Sequence, residues 1–182
     1  MRHILITGGA RSGKSRYAQE LAVKLGEPVL FVATATACDE EMHQRIARHR
    51  RERPAGWHTL EVTTGVGRRI LEEVGGARVV LLDCVTLLVS NVLTDGHRQM
   101  ETADLHRAEP AVMSEIRELT DCFSQTRANF IVVTNEVGLG LVPDSPLGRV
   151  YRDLLGKANQ LLAQAADEVY FMVAGMPLRV KP

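Results

Sequence analysis

The stretch Ile4-Leu5-Ile6-Thr7-Gly8-Gly9-Ala10-Arg11-Ser12-Gly13-Lys14-Ser15-Arg16-Tyr17-Ala18-Gln19-Glu20-Leu21-Ala22 decides the fold. Its first four residues form a short apolar run that reads as a buried strand, and its last seven read as a helix. Between them stands Gly, four residues, then Gly-Lys-Ser, the spacing of a phosphate-binding loop. Such a loop is an anion trap, because its backbone N–H groups and those of the following helix N-terminus converge on phosphate oxygens. In that frame Lys14 reaches the β- and γ-phosphates, and the Ser15 hydroxyl is a ligand for Mg²⁺. A glycine-rich turn that binds nothing is the plainer alternative, and the strand before and the helix after argue against it.

Outward from this unit, apolar runs alternate with helical patterns. Strands are expected at 3–7, 28–33, 58–62, 78–83, 129–134 and 168–174, with a short last one at 178–181. Several are near-continuous in Val, Ile and Leu, as strands buried on both faces are. Helices are expected at 14–25, 39–53, 64–73, 85–93, 111–126 and 147–166. The first stops at Gly26 before Pro28, and the last carries an apolar stripe through Leu147, Val150, Leu154, Leu155, Ala158, Leu161 and Leu162. The polar stretch from Thr94 to Pro110 reads as a surface excursion. The alternation specifies an α/β fold of the P-loop NTPase, RecA-like type, with a doubly wound, mostly parallel sheet and helices on both faces. Residues 1–182 read as a single domain, a size that allows a substantial core.

Bulk composition narrows the class of function. The chain has 182 residues, 45% of them hydrophobic and 24% charged, and a formal net charge of zero. Such a balance gives no global attraction to nucleic acid or anionic membrane. The N-terminal apolar run is too short for a signal peptide and nothing approaches a membrane span, so a cytoplasmic protein is expected. The cysteines Cys38, Cys84 and Cys122 are odd in number and widely spaced, which suits free thiols rather than a disulfide or zinc framework.

Three further segments carry chemistry. Val79-Val80-Leu81-Leu82-Asp83 places a carboxylate at the end of a central strand, where P-loop enzymes hold Mg²⁺. Many buried strands end in Asp, so the segment gains meaning from the loop. Arg45, Arg48, Arg50, Arg51 and Arg53 surround His49 on one helical segment. A solvated basic face, or an anchor for nucleic acid, is the plain reading. A site for phosphorylated ligands is the functional one, since the guanidinium fork binds phosphate bidentately. An imidazole there is a candidate nucleophile toward phosphorus, its neutral form favoured by the neighbouring arginines. Thr134-Asn135-Glu136-Val137-Gly138-Leu139-Gly140-Leu141-Val142-Pro143 leaves the fifth strand where α/β proteins place ligand loops, and reads as a substrate-side loop or a connecting turn.

Taken together these segments resemble the bifunctional adenosylcobinamide kinase / adenosylcobinamide-phosphate guanylyltransferase family of cobalamin biosynthesis. The resemblance spans nearly the whole chain. It rests on Ile6 to Ser15; on Phe31-Val32-Ala33-Thr34-Ala35 with Asp39, Glu41-Met42, Arg45-Ile46, His49, Arg53-Pro54, Trp57, Thr59 and Glu61; on Leu82-Asp83-Cys84-Val85-Thr86 with Asn91; and on Thr134 to Pro143. It implies phosphorylation of adenosylcobinamide with ATP or GTP. It then implies transfer of GMP from GTP to the product through a guanylylated histidine, which corresponds here to His49, with Lys14 as the other catalytic residue. The implied nucleotide-binding positions are the Gly8–Ser15 loop, Ala33, Thr34, Ala35, Arg50, Arg51, Glu52, Arg53, Glu61 and Asp83. Ser15, Asp83 and Glu61 are the candidate Mg²⁺ ligands, and a homo-oligomer, as a trimer, is the implied assembly. Two alternatives stay open at this point. One is a small-molecule P-loop kinase without nucleotidyl transfer. The other is a RecA-like nucleic-acid-stimulated ATPase, disfavoured by the zero net charge and by only one Trp, three Tyr and four Phe for base stacking.

Overall fold

A computed structural model describes residues 1–35, 40–51, 53–94 and 105–182, with the side chains of 41–43, 45, 48, 49 and 105–107 outside the description. The strands are β1 (His3–Gly8), β2 (Val29–Ala33), β3 (His58–Glu61), β4 (Val79–Asp83), β5 (Asn129–Val133), β6 (Glu168–Val173) and β7 (Met176–Lys181). The helices are α1 (Lys14–Leu25), α2 (Glu40–Arg51), α3 (Val66–Glu73), α4 (Val85–Thr94), α5 (Leu105–Gln125) and α6 (Pro146–Ala165). All seven strands join one sheet in the order β3-β2-β4-β5-β1-β6-β7. β1 to β6 run parallel and β7 returns antiparallel against β6. The expected α/β architecture is therefore the observed one.

Strand alternation builds two cores, one on each face of the sheet. Leu5, Leu30, Val32, Val80, Leu82, Phe130 and Val132 pack with residues of α3, α4, α5 and α6. Their strand neighbours Ile4, Ile6, Phe31, Val79, Leu81, Ile131 and Val133 pack on the opposite face with Ala18 and Ala22 of α1. The near-continuous apolar runs are the consequence, since both sides of each central strand are buried.

Two boundaries differ from expectation. α5 begins at Leu105 and runs through Pro110 rather than starting after it. Ala108 is buried, and with Val112, Ile116, Leu119 and Cys122 it continues one helical stripe into the core. That burial carries the helix across the proline against its propensity. Residues 105–110 are therefore helical rather than part of a surface excursion, and the rest of that reading, at 95–104, lies outside the described residues. β7 begins at Met176 instead of Leu178, because Ala174 and Gly175 both adopt positive φ (49° and 84°) and close a two-residue hairpin. Met176, Leu178 and Val180 alternate along this edge strand and are all exposed.

The register places the functional positions in a line. Glu61, Ala33, Asp83, Val133 and Ile6 are successive partners across β3, β2, β4, β5 and β1. Two acids and the strand feeding the phosphate loop thus reach the same carboxyl-terminal edge of the sheet, where open α/β sheets bind ligands.

Candidate active site

The loop between β1 and α1 closes on itself before any ligand arrives. Ser12 N donates to Gly9 O at 3.3 Å, and the buried Lys14 Nζ donates to Gly9 O at 2.6 Å. Gly13 caps α1 with φ 94° and makes no side-chain cap hydrogen bond, so the first-turn N–H groups of the helix remain available for an anion. The hairpin tip between β6 and β7 braces the loop from behind, with Gly175 N donating to Ser12 O at 3.0 Å. A Cβ on Gly13 would lie 3.2 Å from Gly175 Cα, and one on Gly8 (φ 147°) would lie 2.6 Å from the Met172 carbonyl oxygen. Backbone, not a yielding side chain, blocks both. Gly8→Ala is expected to cost about 1–3 kcal/mol in stability and to weaken nucleotide binding with it, checked by thermal melting with and without GTP. An unchanged melting temperature would mean that the loop relaxes freely.

The loop opens onto a cavity of about 670 Å³. Ala10 to Arg16 form one wall, and Phe31, Ala33, Ala35, Glu61 and Asp83 come from the strand edge. Gln44 and Ile46 of α2 with Arg53 close the side, while Cys84, Thr86, Leu87, Val133 and Asn135 complete it. The helix carries position 49 one turn after Ile46; the His49 side chain lies outside the described residues, and so does Glu52.

Electrostatics tie the end of α2 to the strand edge. Arg50 Nη2 pairs with Glu61 Oε1. The Arg53 guanidinium carbon lies 3.7 Å from the centre of the Phe31 ring, and its Nη1 donates to Thr59 Oγ1 at 3.5 Å. Burial lowers the Arg53 pKa while the Asp83 carboxylate opposes that shift, and the guanidinium stays charged because its intrinsic pKa is so high. Its buried Nε has no hydrogen-bond partner among the described residues. Arg51 is exposed, with Nε donating to Ala47 O at 3.4 Å, and neither it nor Arg50 lines the cavity.

Ser15 and Asp83 both line the cavity, and both are hard oxygen donors of the kind Mg²⁺ takes, an ion that typically uses one or two protein ligands and completes its shell with phosphates and water. Glu61 is placed differently: it stands two strands from Asp83, roughly 10 Å away at the backbone, with its carboxylate engaged by Arg50. Among the described residues no three His, Cys, Asp or Glu side chains converge on one point.

Several residues position the site through bonds between distant parts of the chain. Thr34 is fully buried; its Oγ1 donates to Cys84 O at 2.7 Å and accepts from Cys84 N at 3.0 Å, locking β2 to the turn after Asp83. Its hydroxyl is thereby committed to the protein. Asn91 Nδ2 donates to Thr34 O and Thr63 O at 2.9 and 3.2 Å. Burial, then the adjacent Asp83 carboxylate, push the Cys84 thiol up to about 11, so it lines the cavity as a neutral group. Cys84 and Cys122 are free thiols, as expected; Cys38 lies outside the described residues.

The model of the family "Cobinamide kinase / cobinamide phosphate guanyltransferase" matches residues 4–180. The chain belongs to that family. It is 42% identical over 180 residues to the bifunctional adenosylcobalamin biosynthesis protein CobU of Escherichia coli (strain K12), covering 98% of this chain and 99% of the relative. Identity to CobU of Salmonella typhimurium is 41% over 180 residues, with the same coverage. Identity to the bifunctional protein CobP of Pseudomonas aeruginosa is 40% over 178 residues, covering 97% and 96%. Coverage this complete means that phosphate loop, basic helix, Asp83 strand and Asn135 loop all fall within the matched span. The family members are transferases acting on cobinamide and its phosphate, and the resemblance seen in the motifs holds along the chain.

Proposed function

We propose that this chain phosphorylates adenosylcobinamide with ATP or GTP and then transfers GMP from GTP to adenosylcobinamide phosphate, giving adenosylcobinamide-GDP and pyrophosphate. The observation that carries this reading is the cavity itself, which joins the phosphate loop, the Asp83 strand edge and the α2 helix bearing position 49. In the first reaction the acceptor hydroxyl oxygen attacks the γ-phosphorus. The bond to the β,γ-bridging oxygen breaks, nucleoside diphosphate leaves and the hydroxyl proton is released. In the second, an imidazole nitrogen of His49 attacks the α-phosphorus of GTP and pyrophosphate leaves. A phosphate oxygen of adenosylcobinamide phosphate then attacks that phosphorus, the P–N bond breaks and His49 is regenerated.

The chain's own residues supply position and charge. Loop N–H groups and Lys14 cradle the polyphosphate, and the Arg53 guanidinium adds positive charge to the cavity it lines with Asp83. Ser15 and Asp83 would hold Mg²⁺, which supplies charge neutralisation at the phosphates when bound. Leu139, Leu141 and Val142 are exposed on the loop that follows Asn135, apolar surface suited to a large acceptor with methylated faces. The exposed row Met176, Leu178 and Val180 on the β7 edge supports self-association, and a trimer is the assembly we propose. We read the chain as one cytoplasmic domain; among the described residues no helix is long and apolar enough to cross a membrane.

The test follows label through both steps. With γ-labelled GTP and adenosylcobinamide, the corrinoid gains one labelled phosphate. With α-labelled GTP and adenosylcobinamide phosphate, it gains labelled GMP with release of pyrophosphate, and chelation of Mg²⁺ by EDTA stops both. Phosphate transfer without GMP transfer would leave a simple kinase. Label in neither product, with ATP hydrolysis stimulated by single-stranded DNA, would overturn the reading altogether.

A further inference from the structure

We propose that Asn135 is a further catalytic residue of the phosphoryl-transfer step, its carboxamide contacting the transferred γ-phosphoryl group and the acceptor hydroxyl. The inference rests on the functional reading above and starts from the sheet. β5 lies between β4, which ends in Asp83, and β1, which feeds the phosphate loop. Val133 is in register with Asp83 on one side and Ile6 on the other. Asn135, two residues later, therefore crests the sheet between the metal-binding candidate and the loop. Its neighbour Glu136 donates its N–H to Gly8 O at 3.0 Å, fixing that position to the loop.

The peptide of Asn135 is held from two helices. Its N–H donates to Thr86 Oγ1 of α4 at 2.8 Å, and its carbonyl accepts from Asn159 Nδ2 of α6 at 3.1 Å. Asn159 is itself set by Thr134, whose hydroxyl donates to Asn159 Oδ1 at 2.7 Å. Tyr151 donates to Thr86 O at 3.2 Å. A connecting turn needs no such clamp, whereas a side chain that must meet a reacting atom needs one. The clamp uses the backbone of Asn135 alone, and the residue lines the cavity together with Lys14, Ser15 and Asp83.

The chemistry of the group fits the place. A carboxamide offers two N–H donors and one acceptor without adding charge. The donors suit the equatorial oxygens of a phosphoryl group in flight, and the acceptor suits the attacking O–H. An extra carboxylate beside Asp83 would repel the phosphates. Asn135 also sits on the phosphate-loop side of β4, whereas α2 is tied to β3 and β2 through Arg50–Glu61 and Arg53–Phe31. Both reactions share the loop-held nucleotide, while Asn135 stands on the β5 side of Asp83 and the contacts of Arg50 and Arg53 on the β3 and β2 side.

Asn135→Ala and Asn135→Asp separate these roles. In Asn135→Ala, kcat for phosphorylation of adenosylcobinamide falls about 10²-fold, the loss typical of one oriented donor. The rate of GMP attachment to the protein from α-labelled GTP stays within about threefold, and the melting temperature is unchanged. Asn135→Asp loses at least as much phosphoryl transfer as Asn135→Ala, because its charge faces the phosphates. Equal loss of both reactions would reduce Asn135 to a structural turn residue. A variant within about threefold of wild type in phosphorylation, or an aspartate that restores the rate, would overturn the proposal. A wild-type protein that phosphorylates no adenosylcobinamide would instead bring down the functional reading, and this inference with it.

Discussion

His49→Ala is expected to lose GMP transfer and keep phosphoryl transfer. Removing the nucleophile of a covalent pathway costs on the order of 10⁴–10⁶ in rate, so labelled adenosylcobinamide-GDP should fall to background. Phosphorylation attacks a different phosphorus atom and uses the acceptor hydroxyl, so it should change by less than about tenfold. The split is the informative part. A small-molecule kinase without nucleotidyl transfer would show no change in either assay, and a disrupted α2 would depress both through Arg50 and Arg53, which tie its end to β3 and β2.

Lys14→Met should behave in the opposite way and remove both activities together. The side chain is buried, and its ammonium hydrogen-bonds Gly9 O, so the charge is already positioned when nucleotide arrives. Methionine keeps the length and the apolar stem, removing the charge and the donors. Loss of one preorganised electrostatic group costs about 10²–10³ in kcat, and both reactions use the polyphosphate that this loop holds. Initial rates with γ-labelled and α-labelled GTP measure the two losses on one preparation. A variant that lost only one reaction would show that the two nucleotides do not share the loop.

Much of this architecture is legible in the chain because its signals are local. The phosphate loop is a contiguous motif, and strands buried on both faces announce themselves as unbroken runs such as Val79 to Leu82. What escapes is carried by distant or single residues. Nothing in the run Phe130 to Val133 says that β5 inserts between β4 and β1; that order follows from how helices cover the two faces. Pro110 reads as a stop because the buried stripe starting at Ala108 is invisible before the core is assembled. Ala174 is an unlikely turn residue by composition, and only its positive φ reveals the hairpin. In the site, Ser15, Lys14 and Asp83 are recognisable by motif and strand end. The side chains of Thr86, Asn91 and Asn159 bond backbone across the fold. Their partners lie 24 to 57 positions away. Glu61 shows the converse, an acid at a strand end whose partner is Arg50 rather than its fellow acid.

The proposed guanylyl transfer needs a nucleophilic His49 beside a nucleotide held by the phosphate loop. The most direct measurement is incubation of the intact protein with α-labelled GTP and Mg²⁺ in the absence of corrinoid, followed by denaturation and peptide mapping. One GMP per chain is expected on His49, acid-labile and alkali-stable as a phosphoramidate is, with no label in His49→Ala. Wild-type protein that takes up no label, or a variant that keeps it, would rule out a guanylyl-histidine intermediate at this position.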